Sequence, residues 1–267
     1  MHKLTMAKIR DHQTKPGHVT LWWLGQAGFM IKSPGQTVIA IDPYLSNSCK
    51  SLGEKYGLDM DRLVQSPLNP AELVGIDAYV MSHSHQDHCD PETIVASREA
   101  GGRGPYVAPA ETIKKLQQLA IPDDELRMVW PNREYIFGDL RLRATFAIPM
   151  GADDLTHVGY LVTIVEGPKI YFTGDTGWHE ILIDALASDR PDVLVTVINP
   201  AFHNLGPAEA ATLAKRLDVK RVIPCHHDLF RDNCQPPQML HTNLKMMGMG
   251  NRYFLMEHGV PSDFGTA

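Results

Sequence analysis

The segment His83-Ser84-His85-Gln86-Asp87-His88 constrains this chain more than any other. It follows an apolar run from Ile76 to Met81 that reads as a buried strand, and it precedes Asp90-Pro91-Glu92, which reads as a helix start with Asp90 as cap. Three imidazoles and a carboxylate therefore crowd the carboxyl end of a strand. Neutral imidazole nitrogen and carboxylate oxygen are the ligands that zinc, manganese or iron accept. In an extended segment His83 and His85 point to one side, while the turn after them can aim Asp87 and His88 at a neighbouring position. That arrangement suits two adjacent metals. The plain alternative, a solvated His-rich loop, is disfavoured by the buried strand in front of it.

The HxHxDH pattern resembles the metallo-β-lactamase superfamily at every fixed position. The rest of the chain is consistent with that resemblance. Val19 to Leu24, Ala27 to Ile31 and Thr37 to Ile41 read as a β-meander, broken at Gly25 and at Ser33-Pro34-Gly35-Gln36. Strands are expected at Arg127–Trp130, Glu134–Phe137, Leu140–Ile148, Val158–Val165 and Lys169–Thr173, then strand and helix alternate to a last strand at Arg252–Glu257. Two β-rich halves with helices outside both describe an α/β protein, a four-layer αββα sandwich of the metallo-β-lactamase type. We take residues 1–267 as a single hydrolase domain, with 1–18 an N-terminal extension that reads as a frayed leader unless contacts elsewhere in the fold tie it down.

The resemblance assigns roles along the chain. Asp42, closing a strand before Pro43, takes the position of a carboxylate that orients the metal-binding loop. Gly174-Asp175-Thr176 matches the place of a carboxylate that bridges two metals. His226, in Ile223-Pro224-Cys225-His226-His227-Asp228, matches the last ligand. The metal set is thus His83, His85, Asp87, His88, Asp175 and His226, with Asp87 and His88 also the catalytic pair. Trp22-Trp23-Leu24-Gly25-Gln26 and the Ile-Pro-x-His segment resemble one branch, the L-ascorbate-6-phosphate lactonase-like proteins.

The departure from the family lies between Thr145 and Tyr160. Many members carry a histidine there that completes the first metal site, yet Ala147-Ile148-Pro149-Met150 has none. His157 is the one histidine in the interval. It is left open as a substitute ligand, a substrate contact or a bystander, with Asp153 and Asp154 as acidic alternatives. Without a third ligand at the first site, one ion held by Asp87, His88, Asp175 and His226 would have to suffice. Further substrate contacts are expected from Gln26, Asn199, His203, His227 and Asp228. The loop Asn199 to Gly206 leads into a helix start at Pro207, a candidate phosphate seat with His203 and Arg231 as helpers. The irregular stretch Ser46 to Pro70 reads as an excursion over the active-site face, with Tyr44, Asn47, Lys50 and Lys55 as further candidates.

Composition narrows the partners. A formal net charge of -6 over 267 residues gives no electrostatic case for nucleic acid or an anionic membrane. The four cysteines have no CxxC spacing, so a disulfide framework is not expected. No signal-peptide core or bilayer-length apolar run is present, and a cytoplasmic location follows as the default. The resemblance implies a hydrolase using one or two divalent ions, Mn2+ or Zn2+, to lower the pKa of bound water from about 15.7 to about 7. A small-molecule substrate is expected, a sugar-acid lactone such as L-ascorbate 6-phosphate. The alternatives are a small-molecule phosphodiesterase and a non-catalytic sensor binding metal or a sugar phosphate. Self-association into a homo-oligomer stays open.

Overall fold

Apolar residues fill consecutive positions along the first strands, and such strands form only where both faces are covered. In the computed structural model, which describes residues 4–149 and 151–266, they are. Met150, from the stretch that lacks the expected histidine, lies outside the described residues. The first sheet is laid down by β1 (His18–Gly25), β2 (Gly28–Lys32), β3 (Val38–Ile41), β4 (Ala78–Val80), β5 (Tyr106–Ala108) and β6 (Leu126–Met128). The second contains β7 (Glu134–Phe137), β8 (Leu140–Phe146), β9 (Val158–Ile164), β10 (Lys169–Phe172), β11 (Val193–Val197) and β12 (Arg221–Cys225). The chain then returns to the first sheet with β13 (Pro261–Gly265). The orders are β13-β1-β2-β3-β4-β5-β6 and β12-β11-β10-β9-β8-β7.

Alternation along each strand sorts side chains between two interiors. Leu21, Phe29, Ile31, Ile39 and Ile41 meet Leu142, Tyr160, Val162 and Ile170 between the sheets. Their neighbours Trp22, Leu24, Met30, Val38 and Ala40 face the other way, against Ile9, Ile94, Ile113 and Leu116 of the outer helices. Those helices are α1 (Met6–Asp11), α3 (Pro91–Glu99) and α4 (Ala110–Gln118), with α2 (Cys49–Tyr56) over the strand ends. On the far side, α5 (Ile181–Asp184), α6 (Pro207–Arg216) and α7 (Gln238–Met246) cover the second sheet, so the four expected layers are present.

Topology fixes where chemistry can gather. β3, β4, β5 and β6 run parallel in one sheet, β10, β11 and β12 in the other, and parallel neighbours need crossovers that leave the next loops at one edge. β9 pairs antiparallel with both β8 and β10. The start of β9 therefore shares an edge with the ends of β8 and β10.

Three expectations change. The last strand is Pro261–Gly265 rather than Arg252–Glu257, where only an isolated bridge between Val222 and Tyr253 forms. Its sequence, Pro-Ser-Asp-Phe-Gly, has no apolar run because it is a sheet edge with Phe264 alone buried. The leader is docked rather than frayed: Leu4, Met6 and Ile9 are buried, and the buried Lys32 Nζ donates to the carbonyls of Ile9 (3.0 Å), His12 (2.7 Å) and Arg10. The stretch from Ser46 is not wholly irregular, since α2 occupies its first third. Among the described residues no helix is long and apolar enough to cross a membrane.

Candidate metal centre

The strand ends bring together the loops after β3, β4, β10 and β12 and the residue before β9. Gly174 shows how closely. It has φ 60°, and a Cβ there would lie 2.6 Å from the Val158 carbonyl oxygen and 3.2 Å from the Ser82 Cβ. Only glycine lets the turn before Asp175 press against both neighbouring segments.

Three overlapping triads result, His83/His85/His157, His83/His88/Asp175 and Asp87/His88/His226, each offering ligand atoms within 4.8 Å of one another. The outer nitrogen of each ring in the first triad already has a partner. His83 Nδ1 meets Ser82 Oγ at 3.0 Å, His85 Nε2 meets Asp153 Oδ2 at 2.8 Å, and His157 Nδ1 meets the Asp175 carbonyl at 3.1 Å. These partners assign the tautomers and leave the other three nitrogens as lone-pair acceptors aimed inward. His83 Nε2 and His85 Nδ1 lie 2.9 Å apart, a separation that a shared cation relieves.

In the last triad, His88 Nδ1–H donates to Asp42 Oδ2 at 2.8 Å, while the other Asp42 oxygen accepts the Ser82 N–H at 2.7 Å. His88 Nε2 is then free towards Asp175 Oδ1 (3.4 Å) and His226 Nε2 (3.4 Å). His226 Nε2 lies 3.2 Å from Asp87 Oδ2 and 3.4 Å from Asp175 Oδ2. Asp175 turns one oxygen to His88 and the other to His226, and its own triad shares His83 with the first and His88 with the last.

Electrostatics follows the geometry. Burial and the adjacent His88 and His157 rings hold His83 well below its usual range, so it is neutral. Burial works against charge at His88 and His226 too, but there Asp175 and Asp87 outweigh it, pushing His88 well above its usual value and His226 up to about 9. Such a group stabilises positive charge. Two of its atoms, His157 Nε2 and Asp175 Oδ1, are buried without any hydrogen-bond partner. Orphaned lone pairs beside a nitrogen and oxygen donor set fit a divalent ion.

The Beta-lactamase superfamily domain family matches residues 20–226, a span that holds all seven of these side chains. The chain belongs to the metallo-β-lactamase superfamily.

Relatives place it among the metal-dependent hydrolases. A UPF0173 metal-dependent hydrolase of Myxococcus xanthus (strain DK1622) is 29% identical, covering 85% of this chain and 77% of that protein. The protein named "Probable L-ascorbate-6-phosphate lactonase UlaG" of Salmonella heidelberg (strain SL476) is 25% identical, covering 86% and 75%. Among solved structures, the metallo hydrolase Igni18 of Ignicoccus hospitalis superposes with a TM-score of 0.70 at 19% identity, over 94% of this chain and 100% of that one. The chain is a metal-dependent hydrolase of this superfamily.

The cluster forms the floor of an open cavity of about 420 Å³, lined among others by Leu52, Met60, Phe202, His203 and Asn233. The expectations for substrate contacts divide here. His203 lines the cavity and is exposed, and the excursion does border it through Cys49, Leu52 and Met60. Gln26, Asn199, His227 and Asp228 are absent from its lining. Gln26 is buried beneath the cluster, where its Nε2 donates to Asp87 Oδ2 at 2.9 Å. Asn199 is buried and accepts from Asn204 at 3.2 Å. His227 turns away because His226, at φ 59°, takes the one direction that faces the cluster. The His227 ring instead packs on Trp23 with centroids 4.7 Å apart, and its Nδ1 meets Asp228 Oδ2 at 2.8 Å.

His88 is fully buried, is absent from the cavity's lining and belongs to two of the three ligand triads. Further corrections concern Tyr44 and the helix start. Tyr44 is buried, its hydroxyl oxygen accepting from the Cys49 N–H at 3.2 Å, and Asn47 and Lys50 both bind Asp61. At α6 the Gly206 N–H donates to Glu209 Oε2 at 2.9 Å, so the proposed phosphate seat already carries a carboxylate. Arg231 is paired with Asp59 at 3.2 Å.

Two residues take supporting roles not expected from the sequence: Asn204 has no role of its own there, and Asp154 reads as a possible ligand. Asn204 Nδ2 donates to Asp175 Oδ2 at 2.7 Å. Asp154 accepts from the Ser84 N–H at 2.9 Å and the Thr156 N–H at 2.7 Å, tying the His83–His85 loop to the segment that carries His157. Neither acidic neighbour, Asp153 or Asp154, joins a ligand triad.

Proposed function

We propose that this hydrolase opens a lactone or a related carboxylic ester, with a sugar-acid lactone such as L-ascorbate 6-phosphate as the starting model. The observation that carries it is the placement of the His/Asp cluster at the floor of a cavity open to a small molecule. Similarity to the L-ascorbate-6-phosphate lactonase relatives along 86% of the chain supports the lactone.

His83, His85 and His157 would hold one ion, Asp87, His88 and His226 a second, and Asp175 would reach both. When bound, Mn2+ or Zn2+ lowers the pKa of a water and polarises the carbonyl under attack. The chain supplies the rest. Asp87, like Asp175, belongs to the cluster and lines the cavity, and Gln26 holds it as a carboxylate, which suits it to take a proton from the attacking water and then return that proton to the departing alkoxide. His203 and Asn233 offer polar contacts at the cavity wall.

The test is metal content of protein purified without added metal, then a lactone and phosphodiester panel after reconstitution with Mn2+ or Zn2+. Two ions per chain and lactone turnover are expected, both abolished in Asp175→Ala. Phosphodiester turnover in the absence of lactone turnover would overturn the reading.

A further inference from the structure

The cavity over the cluster contains no lysine or arginine among its described lining residues. Cations on the neighbouring loops are turned to other partners. Lys50 Nζ binds Asp61 at 2.7 Å, Arg231 Nε binds Asp59 at 3.2 Å, and Arg62 donates to the carbonyls of Tyr44 (3.1 Å), Ser46 (3.2 Å) and Val64 (3.1 Å). The α6 N-terminus is capped by the Glu209 carboxylate. Within the lining stand Leu52, Met60, Pro149, Ala201 and Phe202, and Phe202 is 41% exposed. Leu52, Met60 and Phe202 together give the cavity an apolar flank, and it is such grouped apolar surface in a cleft, rather than one exposed side chain, that marks a binding face.

From this we infer that the substrate is an uncharged lactone or ester with an aliphatic flank, held by Leu52, Met60 and Phe202, and without a phosphate remote from the reacting carbonyl. The inference rests on the hydrolase reading above, keeps its lactone or carboxylic ester and replaces the phosphorylated starting model. A phosphate attached several bonds from the carbonyl cannot also lie on the metal cluster. Elsewhere in the cavity it would meet no lysine or arginine; its polar surroundings there are the His203 imidazole, the amides of Gln86, Asn204 and Asn233 and the carboxylate of Asp153, 69% exposed. Desolvating a dianion without a lysine or arginine to pair it, and beside a carboxylate, is strongly unfavourable. An alkyl chain instead buries area against side chains already present, and each buried methylene tightens binding.

The experiment separates binding from turnover. 2-Alkylcyclopentanones carry the ring carbonyl of a lactone and do not hydrolyse, so their affinity for the metal-reconstituted protein is measured by calorimetry from methyl to pentyl. The dissociation constant is expected to fall about fourfold per methylene. Glucose 6-phosphate is expected not to displace them. Phe202→Ala and, independently, Leu52→Ala should flatten the chain-length dependence while metal content stays at the parent value. A dissociation constant indifferent to chain length, or displacement by glucose 6-phosphate, overturns the inference. Matching γ-alkyl lactones are then offered as substrates. Chain-length-dependent binding without hydrolysis supports the substrate class and removes the lactonase reading. Hydrolysis with a phosphorylated lactone preferred keeps the lactonase and overturns the class.

Discussion

Asp42 Oδ2 accepts from His88 Nδ1 at 2.8 Å, with both side chains buried, and this one bond decides which nitrogen of His88 faces the cluster. Rings held in this way lose affinity for metal by about 10–100-fold when the outer partner is removed. Asp42→Ala is therefore expected to weaken metal binding by that factor in a chelator competition. Asp42→Asn should lose less, because its amide oxygen can accept the same bond. Equal metal affinity in Asp42→Ala and the parent would contradict the role.

His157 is predicted to decide stoichiometry. Its Nε2 is buried without a partner, and its ring centroid is 4.0 Å from that of His83. His157→Ala should lower bound metal from two ions per chain to one, measured by elemental analysis after gel filtration. His227→Ala, which removes an equally buried imidazole from the Trp23 side, should leave both ions bound. A His157→Ala protein that keeps two ions would return that histidine to the bystander role.

The contrast between these two histidines shows what the sequence carries and what it does not. His83 to His88, Asp175 and His226 were legible because each follows an apolar strand directly, and a strand end fixes where the next side chain goes. His157 precedes its strand. Its place at the same edge depends on β9 running antiparallel to β8 and β10, a pairing that no local pattern encodes. His226 and His227 are adjacent and chemically equal, so the backbone turn at φ 59° selects between them. Asn204 and Asp154 act through contacts 29 and 70 residues away in sequence, which spacing does not report. The αββα layers were legible from two β-rich halves with helices outside both, together with the family resemblance, whereas β13 lacked the apolar run that reveals a buried strand.

A pH dependence follows from Asp139, in the turn between β7 and β8. Its carboxylate accepts from Ser33 Oγ, the Gly35 N–H (2.8 Å) and Thr37 Oγ1 (3.1 Å), which pins the β2–β3 turn of one sheet to the other. Although burial alone would raise it, these donors hold the carboxyl below its usual value. A depressed folded-state value means that the contribution is complete above the unfolded value, about 4, and is lost as pH falls through the folded one. Asp139→Asn should cost about 1 kcal/mol at neutral pH by urea unfolding. The gap to the parent should close as the solution is acidified below about pH 4. A gap that widens in acid would reverse the assigned sign.

The docking of the N-terminal segment rests on Lys32, whose buried ammonium donates to the carbonyls of Ile9, Arg10 and His12. Those carbonyls belong to the last turn of α1 and the residue after it, which have no continuing helix to bond them, and a cation there also suits the negative helix end. Lys32→Met keeps most of the side-chain volume and removes all three bonds. Leaving the carbonyls unsatisfied should cost about 2 to 3 kcal/mol. Because Leu4, Met6 and Ile9 bury little area compared with the sheets, the segment should open before the domain does. The amides of residues 8–12 are then expected to exchange about a hundredfold faster than in the parent, with the β3 and β4 amides unchanged. Unchanged exchange in α1 would show that its apolar contacts alone hold it in place.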